Sequence, residues 1–121
     1  MNKVVIAAVI KNNKGQLLAV HLNKEKPEGV WVMPGGKLED GESARECAIR
    51  EAKEELGVEI EPIKIVGICE VDYGDNNIWL FIYYSAKIVS GTPVPQEENK
   101  TLDVKYIDLQ QIHMYEKIIW F

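Results

Sequence analysis

The segment Gly36–Val58, GKLEDGESARECAIREAKEELGV, decides how this chain is read. Its centre reads as a helix, and there Glu51, Glu54 and Glu55 stand at i, i+3 and i+4. Residues so spaced share one helical face. Three like charges on that face repel one another and destabilise a bare helix unless a cation sits among them. A hard divalent ion such as Mg²⁺ takes oxygen ligands and commonly bridges carboxylates to substrate phosphates. The spacing therefore predicts a metal-dependent enzyme acting on a phosphate compound.

At about 100° per residue the helix 43–56 divides into sectors. Ala44, Ala48, Ala52, Ile49 and Leu56 form an apolar arc that must pack on a sheet. Glu51, Glu54 and Glu55 form the adjoining arc at the margin of the buried face, while Lys53 and Glu46 face away. Arg50 precedes Glu54 by four residues, placed to pair with it and hold its rotamer. Ser43 with Glu46 three residues on is a capping-box signature, and Gly57 reads as the C-cap. A charge run on a helix usually means a solvated face, so the helix alone does not decide the matter.

The 121 residues around this helix suit one domain, spanning 1–121, with a single core. Apolar residues make up 46% and charged residues 27%, the balance of a soluble globular protein. No apolar run reaches the roughly 20 residues that cross a bilayer, so no membrane partner is expected. The start, MNKVVIAAVIKNN, lacks a small-residue cleavage site and reads as a first strand. A net charge of −5 argues against a broad surface for a nucleic-acid polymer. A polyanionic substrate needs metal ions to supply positive charge locally. Cys47 and Cys69 form no Cys-x-x-Cys pair and read as reduced thiols of a cytoplasmic protein.

Residues 4–10 and 17–22 are aliphatic runs joined by NNKG, a hairpin signal. HLNKEKPEG, with Pro27 and Gly29, reads as a loop. A short strand at 30–33 is stopped by Pro34-Gly35-Gly36. Further strands are expected at 63–71 and 78–89, with a turn at Gly74 to Asn77. The latter strand is apolar on both faces: Ile78, Leu80, Ile82 and Tyr84 on one, Trp79, Phe81 and Tyr83 on the other. Such a strand belongs in the middle of a layered domain. GTPVPQEENK reads as a loop, DVKYIDL as a last strand and LQQIHMYEK as a C-terminal helix. The expected class is α/β (α+β), a mixed β-sheet sandwiched between α-helices. The apolar quartet Ile118-Ile119-Trp120-Phe121 calls for burial on its own sheet or, in a homodimer, against a second subunit.

Pro34-Gly35-Gly36, Glu42, then Arg50-Glu51-x-x-Glu54-Glu55-x-Gly57-Val58 resembles the signature of the Nudix hydrolases. That signature runs Gly, five residues, Glu, seven residues, Arg-Glu-apolar-x-Glu-Glu-x-Gly-apolar. Gly36, Glu42, Arg50, Glu51, Glu54, Glu55 and Gly57 fill every identity position. At an average usage of about 7% each, chance agreement at a given start is on the order of one in 10⁸. Ala52 departs from the larger aliphatic residue usual there, which touches packing rather than chemistry. With Trp31-x-x-Pro34-Gly35-Gly36 leading in, the resemblance extends over nearly the whole chain.

The resemblance implies the Nudix fold and a pyrophosphohydrolase that cuts within a nucleoside diphosphate linked to another group, X. Water attacks one phosphorus while Mg²⁺ or Mn²⁺ ions neutralise the phosphate oxygens. It further implies that Glu51, Glu54, Glu55 and the carbonyl of Gly35 or Gly36 are metal ligands. Glu42 would bind metal through water or brace the loop–helix junction. Arg50 joins the catalytic set by orienting a ligand carboxylate. Glu51, Glu54 and the loop pair Glu97 and Glu98 are the candidates for general base.

Glu97-Glu98-Asn99-Lys100, followed by Val104 and Tyr106, resembles members that convert (deoxy)nucleoside triphosphates to monophosphate and pyrophosphate. ADP-ribose and dinucleoside polyphosphates are the alternatives; the place of Tyr73 suggests the dinucleoside type, but Tyr73 reads better as a strand-end residue before the Gly74 turn. A catalytically silent nucleotide sensor is a third, against which the intact glutamates argue. Trp31, Lys37, Glu97 and Glu98 are the candidate substrate contacts. Trp79, Phe81 and Tyr83 could stack on a base, although aromatics at strand spacing more often serve the core. His21 and His113 lack metal-ligand spacing and read as structural.

Overall fold

A computed structural model describes residues 3–22, 30–96, 101–113 and 118–121. The aliphatic, β-branched runs form β1 (Val4–Val9), β2 (Leu17–Leu22) and β3 (Val30–Val32), followed by β4 (Gly35–Lys37) and the helix α1 (Ala44–Leu56). Two long strands, β5 (Glu59–Asp72) and β6 (Ile78–Ser90), lead to β7 (Thr101–Ile107), a 3₁₀ turn at Leu109–Gln111, and β8 (Ile119–Trp120). A five-stranded sheet has the order β4-β1-β6-β5-β8, and a three-stranded sheet the order β3-β2-β7. The larger sheet is mixed: β1 runs parallel to β6, and β5 antiparallel to it. Doubly apolar β6 therefore sits inside the sheet, flanked by β1 and β5, as its pattern requires.

The expected hairpin of β1 and β2 is only a neck. Lys11 bridges Leu17, and Leu18 N–H donates to Ile10 O at 2.8 Å, after which the strands enter different sheets. Parting lets each bury both faces. Ile6, Ala8, Leu18 and Val20 join Cys47, Ala48, Ala52 and Leu56 of α1 in one apolar cluster. Ala7, Val9, Leu17 and Ala19 join Met33, Cys69, Tyr83 and Ile112 in the other. Cys47 and Cys69 form no disulfide and lie in different clusters.

The caps of α1 form as their residues dictate. Ser43 Oγ accepts from Glu46 N–H at 3.0 Å, and Glu46 Oε1 accepts from Ser43 N–H at 2.9 Å. Gly57 closes the helix in the left-handed region at φ 70, where glycine carries no Cβ penalty. Burial along Cys47, Ala48, Ala52 and Leu56 fixes which way the glutamates face. Fully buried Leu56 alone is worth about 1.5–3 kcal/mol.

Three further expectations change. β3 ends at Val32, ahead of Pro34-Gly35-Gly36 as expected, but Gly35 and Gly36 go on to form a strand of their own, pairing with Ala7 and Ile6 of β1. The 63–71 strand begins four residues earlier, at Glu59, absorbing Pro62 at a register shift between Pro62 and Lys64. The C-terminal helix is a 3₁₀ turn over Leu109–Gln111, and residues 114–117 lie outside the described residues. The apolar quartet finds its own sheet in backbone terms: Gly67 and Ile68 of β5 pair with Trp120 and Ile119. The side chains of Ile119, Trp120 and Phe121 nonetheless remain exposed. Among the described residues no helix is long and apolar enough to cross a membrane.

Candidate active site

The acidic arc of α1 lies against the backbone of β4. Gly35 N–H donates to Glu55 Oε1 at 2.9 Å. A Cβ on Gly36 would overlap the Glu51 carboxyl group, and one on Gly35 would strike the carbonyl of Ile6. The bare Cα of Gly36 thus lets the Glu51 carboxylate reach the strand, while that of Gly35 lets β4 close on β1. Beneath them, Cys47 Sγ lies 3.5 Å from Lys37 O and 3.7 Å from Gly36 O. Burial, with the Glu42 carboxylate beside it, pushes the Cys47 thiol up to about 12.

Arg50 gathers the carboxylates. Its Nε donates to Glu42 Oε2 at 2.7 Å and its Nη2 to Glu42 Oε1 at 3.1 Å. Its Nη1 reaches Glu51 Oε1 at 2.8 Å and Glu54 Oε2 at 3.2 Å, and Nη2 also donates to Lys37 O at 3.0 Å. The i, i+4 pair with Glu54 is real but is the longer partnership. The Arg50 guanidinium holds the Glu42 carboxyl at about 2, well below the usual carboxylate range. The same carboxylates push the Arg50 pKa above its already high ordinary value.

The carboxylate oxygens of Glu51, Glu54 and Glu55 meet the backbone of Gly35 and Gly36 at this junction, with the Arg50 guanidinium and the Cys47 thiol beside them. That chemistry, with a Gly36 cradle that a Cβ would fill, fits a hard divalent ion. Among the described residues, no three His, Cys, Asp or Glu side chains are drawn together as a preformed cage. The reason is visible in the partners, since Arg50 holds Glu51 and Glu54 while Gly35 N–H holds Glu55. A cation would compete with Arg50 for those oxygens.

A cavity of about 630 Å³ opens beside β4, with Gly35 and Lys37 in its wall. Alternate residues of β6, Trp79, Phe81 and Tyr83, line it together with Val5 and Ala7 of β1. Tyr73 and His113 complete the rim, and Lys37 Nζ sits 5.3 Å from the Trp79 ring centroid. An apolar, aromatic chamber bordering clustered carboxylates is the usual form of a small-molecule site.

The NUDIX domain family matches residues 1–120. The chain belongs to the Nudix hydrolase family. It is 35% identical over 66 residues to the 8-oxo-dGDP phosphatase of Mus musculus, covering 54% of this chain and 20% of that protein. This chain thus spans about a fifth of the mouse relative's length. A Mycobacterium tuberculosis protein bearing the provisional name 8-oxo-dGTP diphosphatase 2 is 26% identical over 112 residues, covering 93% of this chain and 79% of that one. The fold matches a MutT Nudix hydrolase from Burkholderia pseudomallei at a TM-score of 0.80 and 24% identity, over 95% of this chain and 89% of that one.

Within this Nudix domain the structure brings together Gly35, Gly36, Glu42, Arg50, Glu51, Glu54 and Glu55, with Gly57 closing the helix that carries them. Lys37 reaches the cavity, whereas Trp31 does not line it. The Trp31 ring instead stacks on His21 at 4.6 Å, with Lys105 Nζ 4.7 Å from its centroid. Glu97 and Glu98 lie outside the described residues. Two participants were not foreseen. Glu39 adds a fourth carboxylate at 3.3 Å from Arg50 Nη1, and His113, read as structural, borders the cavity, as does Tyr73. For Glu39 no spacing signal exists. Trp79, Phe81 and Tyr83 were visible in the alternation of β6, which could not say whether their face met core or cavity.

Proposed function

We propose that this protein is a divalent-metal-dependent pyrophosphohydrolase that cleaves a (deoxy)nucleoside triphosphate into monophosphate and pyrophosphate. The observation that carries the reading is one strand with two neighbours. β4 holds Glu51 and Glu55 against its glycines while Gly35 and Lys37 wall the aromatic cavity. A nucleoside in that cavity brings its phosphates to the carboxylates. Relatives named for 8-oxo-dGDP and 8-oxo-dGTP hydrolysis support the substrate class.

In this reading Glu51, Glu54, Glu55 and the carbonyl of Gly35 or Gly36 hold Mg²⁺ or Mn²⁺. When bound there, such an ion would neutralise phosphate oxygens and lower the pKa of a water molecule. Arg50, through its bonds to Glu51 and Glu54, keeps those carboxylates oriented without touching substrate. Glu42 braces Arg50 from the loop. Lys37 places an ammonium at the phosphate end of the cavity, and Trp79, Phe81 or Tyr83 offers a face to the base. Full stacking of that kind is worth about 1–3 kcal/mol. Among the described residues Glu51 and Glu54 are the candidates for general base. A dinucleoside polyphosphate is the second reading, favoured by Tyr73 at the cavity rim.

Glu54→Gln and Glu55→Gln test the reading directly. Each is expected to abolish metal-dependent phosphate or pyrophosphate release while circular dichroism stays unchanged. Full activity in either variant rejects the metal-ligand assignment. A panel of nucleoside triphosphates, ADP-ribose and dinucleoside polyphosphates, read by product identity, separates the two substrate readings.

A further inference from the structure

Val5, Ala7 and Val9 of β1 alternate along one face of the large sheet, beside Trp79, Phe81, Tyr83 and Ser85 of β6. This face carries two cavities in succession. The first is the aromatic chamber beside β4. The second, of about 570 Å³, is lined by residues that include Val9, Val66, Ser85, Ala86 and Trp120. Tyr83 belongs to the first and Trp120 to the second, and their rings touch, with centroids 5.2 Å apart and planes inclined at 53°. The Tyr83–Trp120 pair is the wall between them.

Trp120 is held in place by an absence. It pairs with Gly67 across β5 and β8, and its ring occupies the space where a Cβ on Gly67 would stand, 2.6 Å from Cε3 and 2.9 Å from Cζ3. Phe121 N–H donates to Val66 O at 2.8 Å and continues the clamp. Tyr83 is only 5% exposed, with the Trp120 ring on one side and the first cavity on another. Trp120, by contrast, is 45% exposed and lies on a two-residue strand at the sheet edge. A tryptophan so placed leaves part of its ring to solvent and sets the rest against buried Tyr83.

We infer that Trp120, seated in the Gly67 notch, is a positioning residue that acts through Tyr83 to fix the depth of the nucleotide cavity and so the size of base it accepts. The inference rests on the nucleotide reading above. Removing the Trp120 ring frees Tyr83 to swing toward the second cavity, deepening the first. A small base then loses its packing partner, and a bulky one gains room.

The test uses the whole chain with Trp120→Ala, Trp120→Phe and Gly67→Ala. Steady-state kinetics are measured on nucleoside triphosphates, including ATP and its N6-benzyl derivative. Binding of the corresponding monophosphates is measured by calorimetry, which needs no turnover. In Trp120→Ala, KM and the monophosphate Kd for the unmodified base rise about 3- to 10-fold, the loss expected for one aromatic pair. The kcat stays within about twofold, and selectivity moves toward the N6-benzyl base. Gly67→Ala, which evicts the ring without deleting it, reproduces the shift, and Trp120→Phe restores it.

Unchanged KM and Kd in both Trp120→Ala and Gly67→Ala overturn the inference, as does a fall in melting temperature and kcat with KM unmoved. A wild type that binds monophosphates but turns over none, with Kd still shifted in Trp120→Ala, rejects the hydrolase reading and keeps the wall. A wild type that turns over nucleotides indifferently to both substitutions does the reverse.

Discussion

Arg50 and Glu42 meet through two parallel hydrogen bonds, Nε to Oε2 at 2.7 Å and Nη2 to Oε1 at 3.1 Å, joining the loop before α1 to the acidic face of the helix. Both side chains are largely covered, at 23% and 13% exposure. Paired hydrogen bonds between ions in such a setting are stronger than neutral ones. At neutral pH, Glu42→Gln is expected to lower stability by about 1.5–3 kcal/mol in a urea titration.

The same pair sets a pH dependence. Glu42 titrates at about 2 in the folded protein, down from an ordinary 4.5. A carboxyl whose pKa falls on folding contributes fully above its unfolded pKa, and that contribution is lost as pH falls through the folded one. The stability gap between wild type and Glu42→Gln is therefore constant above about pH 5 and closes between about 4.5 and 2. Urea midpoints of both proteins across that range check it, and a gap that widens toward acid contradicts it.

Gly36→Ala targets the contact between β4 and α1. The added methyl overlaps the Glu51 carboxyl group, so the side chain of Glu51 must move while the pairing of Gly36 with Ile6 persists. Misplacing a catalytic carboxylate by about 1 Å costs on the order of 10²-fold in rate. The expected result is that loss in kcat/KM with a melting temperature within a few degrees of wild type.

Metal binding has a signature independent of activity. An ion that binds only the folded state stabilises it by about 2.7 kcal/mol at a hundredfold excess over Kd. Thermal melts with and without Mg²⁺ are expected to separate for wild type and to coincide for Glu55→Gln. EDTA returns the wild type to the metal-free curve. Equal shifts in both proteins would place the ion elsewhere.

Ser43→Ala removes the hydroxyl that accepts from Glu46 N–H. Loss of an N-cap costs about 1 kcal/mol. For a chain of this size that is a drop of about 4 °C in Tm. Ser43→Asp, which keeps an acceptor at the helix N-terminus, restores most of it.

Cys47 is fully buried and its thiol is pushed up to about 12. A thiol so raised stays protonated, and unreactive, at pH 8. Cys69 is buried as well. Neither thiol is expected to react with Ellman's reagent in the native protein within minutes, and both should react in guanidinium chloride. Rapid native reaction would contradict the packing of Cys47 under Lys37.

Everything set by contacts within about one helical turn was legible in the residues: the Ser43–Glu46 box, the Gly57 cap, the shared face of Glu51, Glu54 and Glu55, and the reach of Arg50 to Glu54. These follow from 3.6-residue periodicity and from side chains that satisfy nearby backbone groups. The Nudix spacing extended that legibility to Gly35 and Gly36, though as a turn rather than as β4. The central place of β6 followed from its two apolar faces. What lies across the sheets did not follow. Strand pairing is chosen by which surfaces can be buried together, and that choice involves residues far apart in the chain. Only the folded chain splits β1 from β2, sets Trp79, Phe81 and Tyr83 along a cavity that borders the core, and brings Glu39 to Arg50. It also sets Trp120 on Gly67, where the missing Cβ has a purpose that no neighbour in sequence reveals. Local spacing thus carries the chemistry of the carboxylates, while the shape of the chamber beside them is a product of long-range burial.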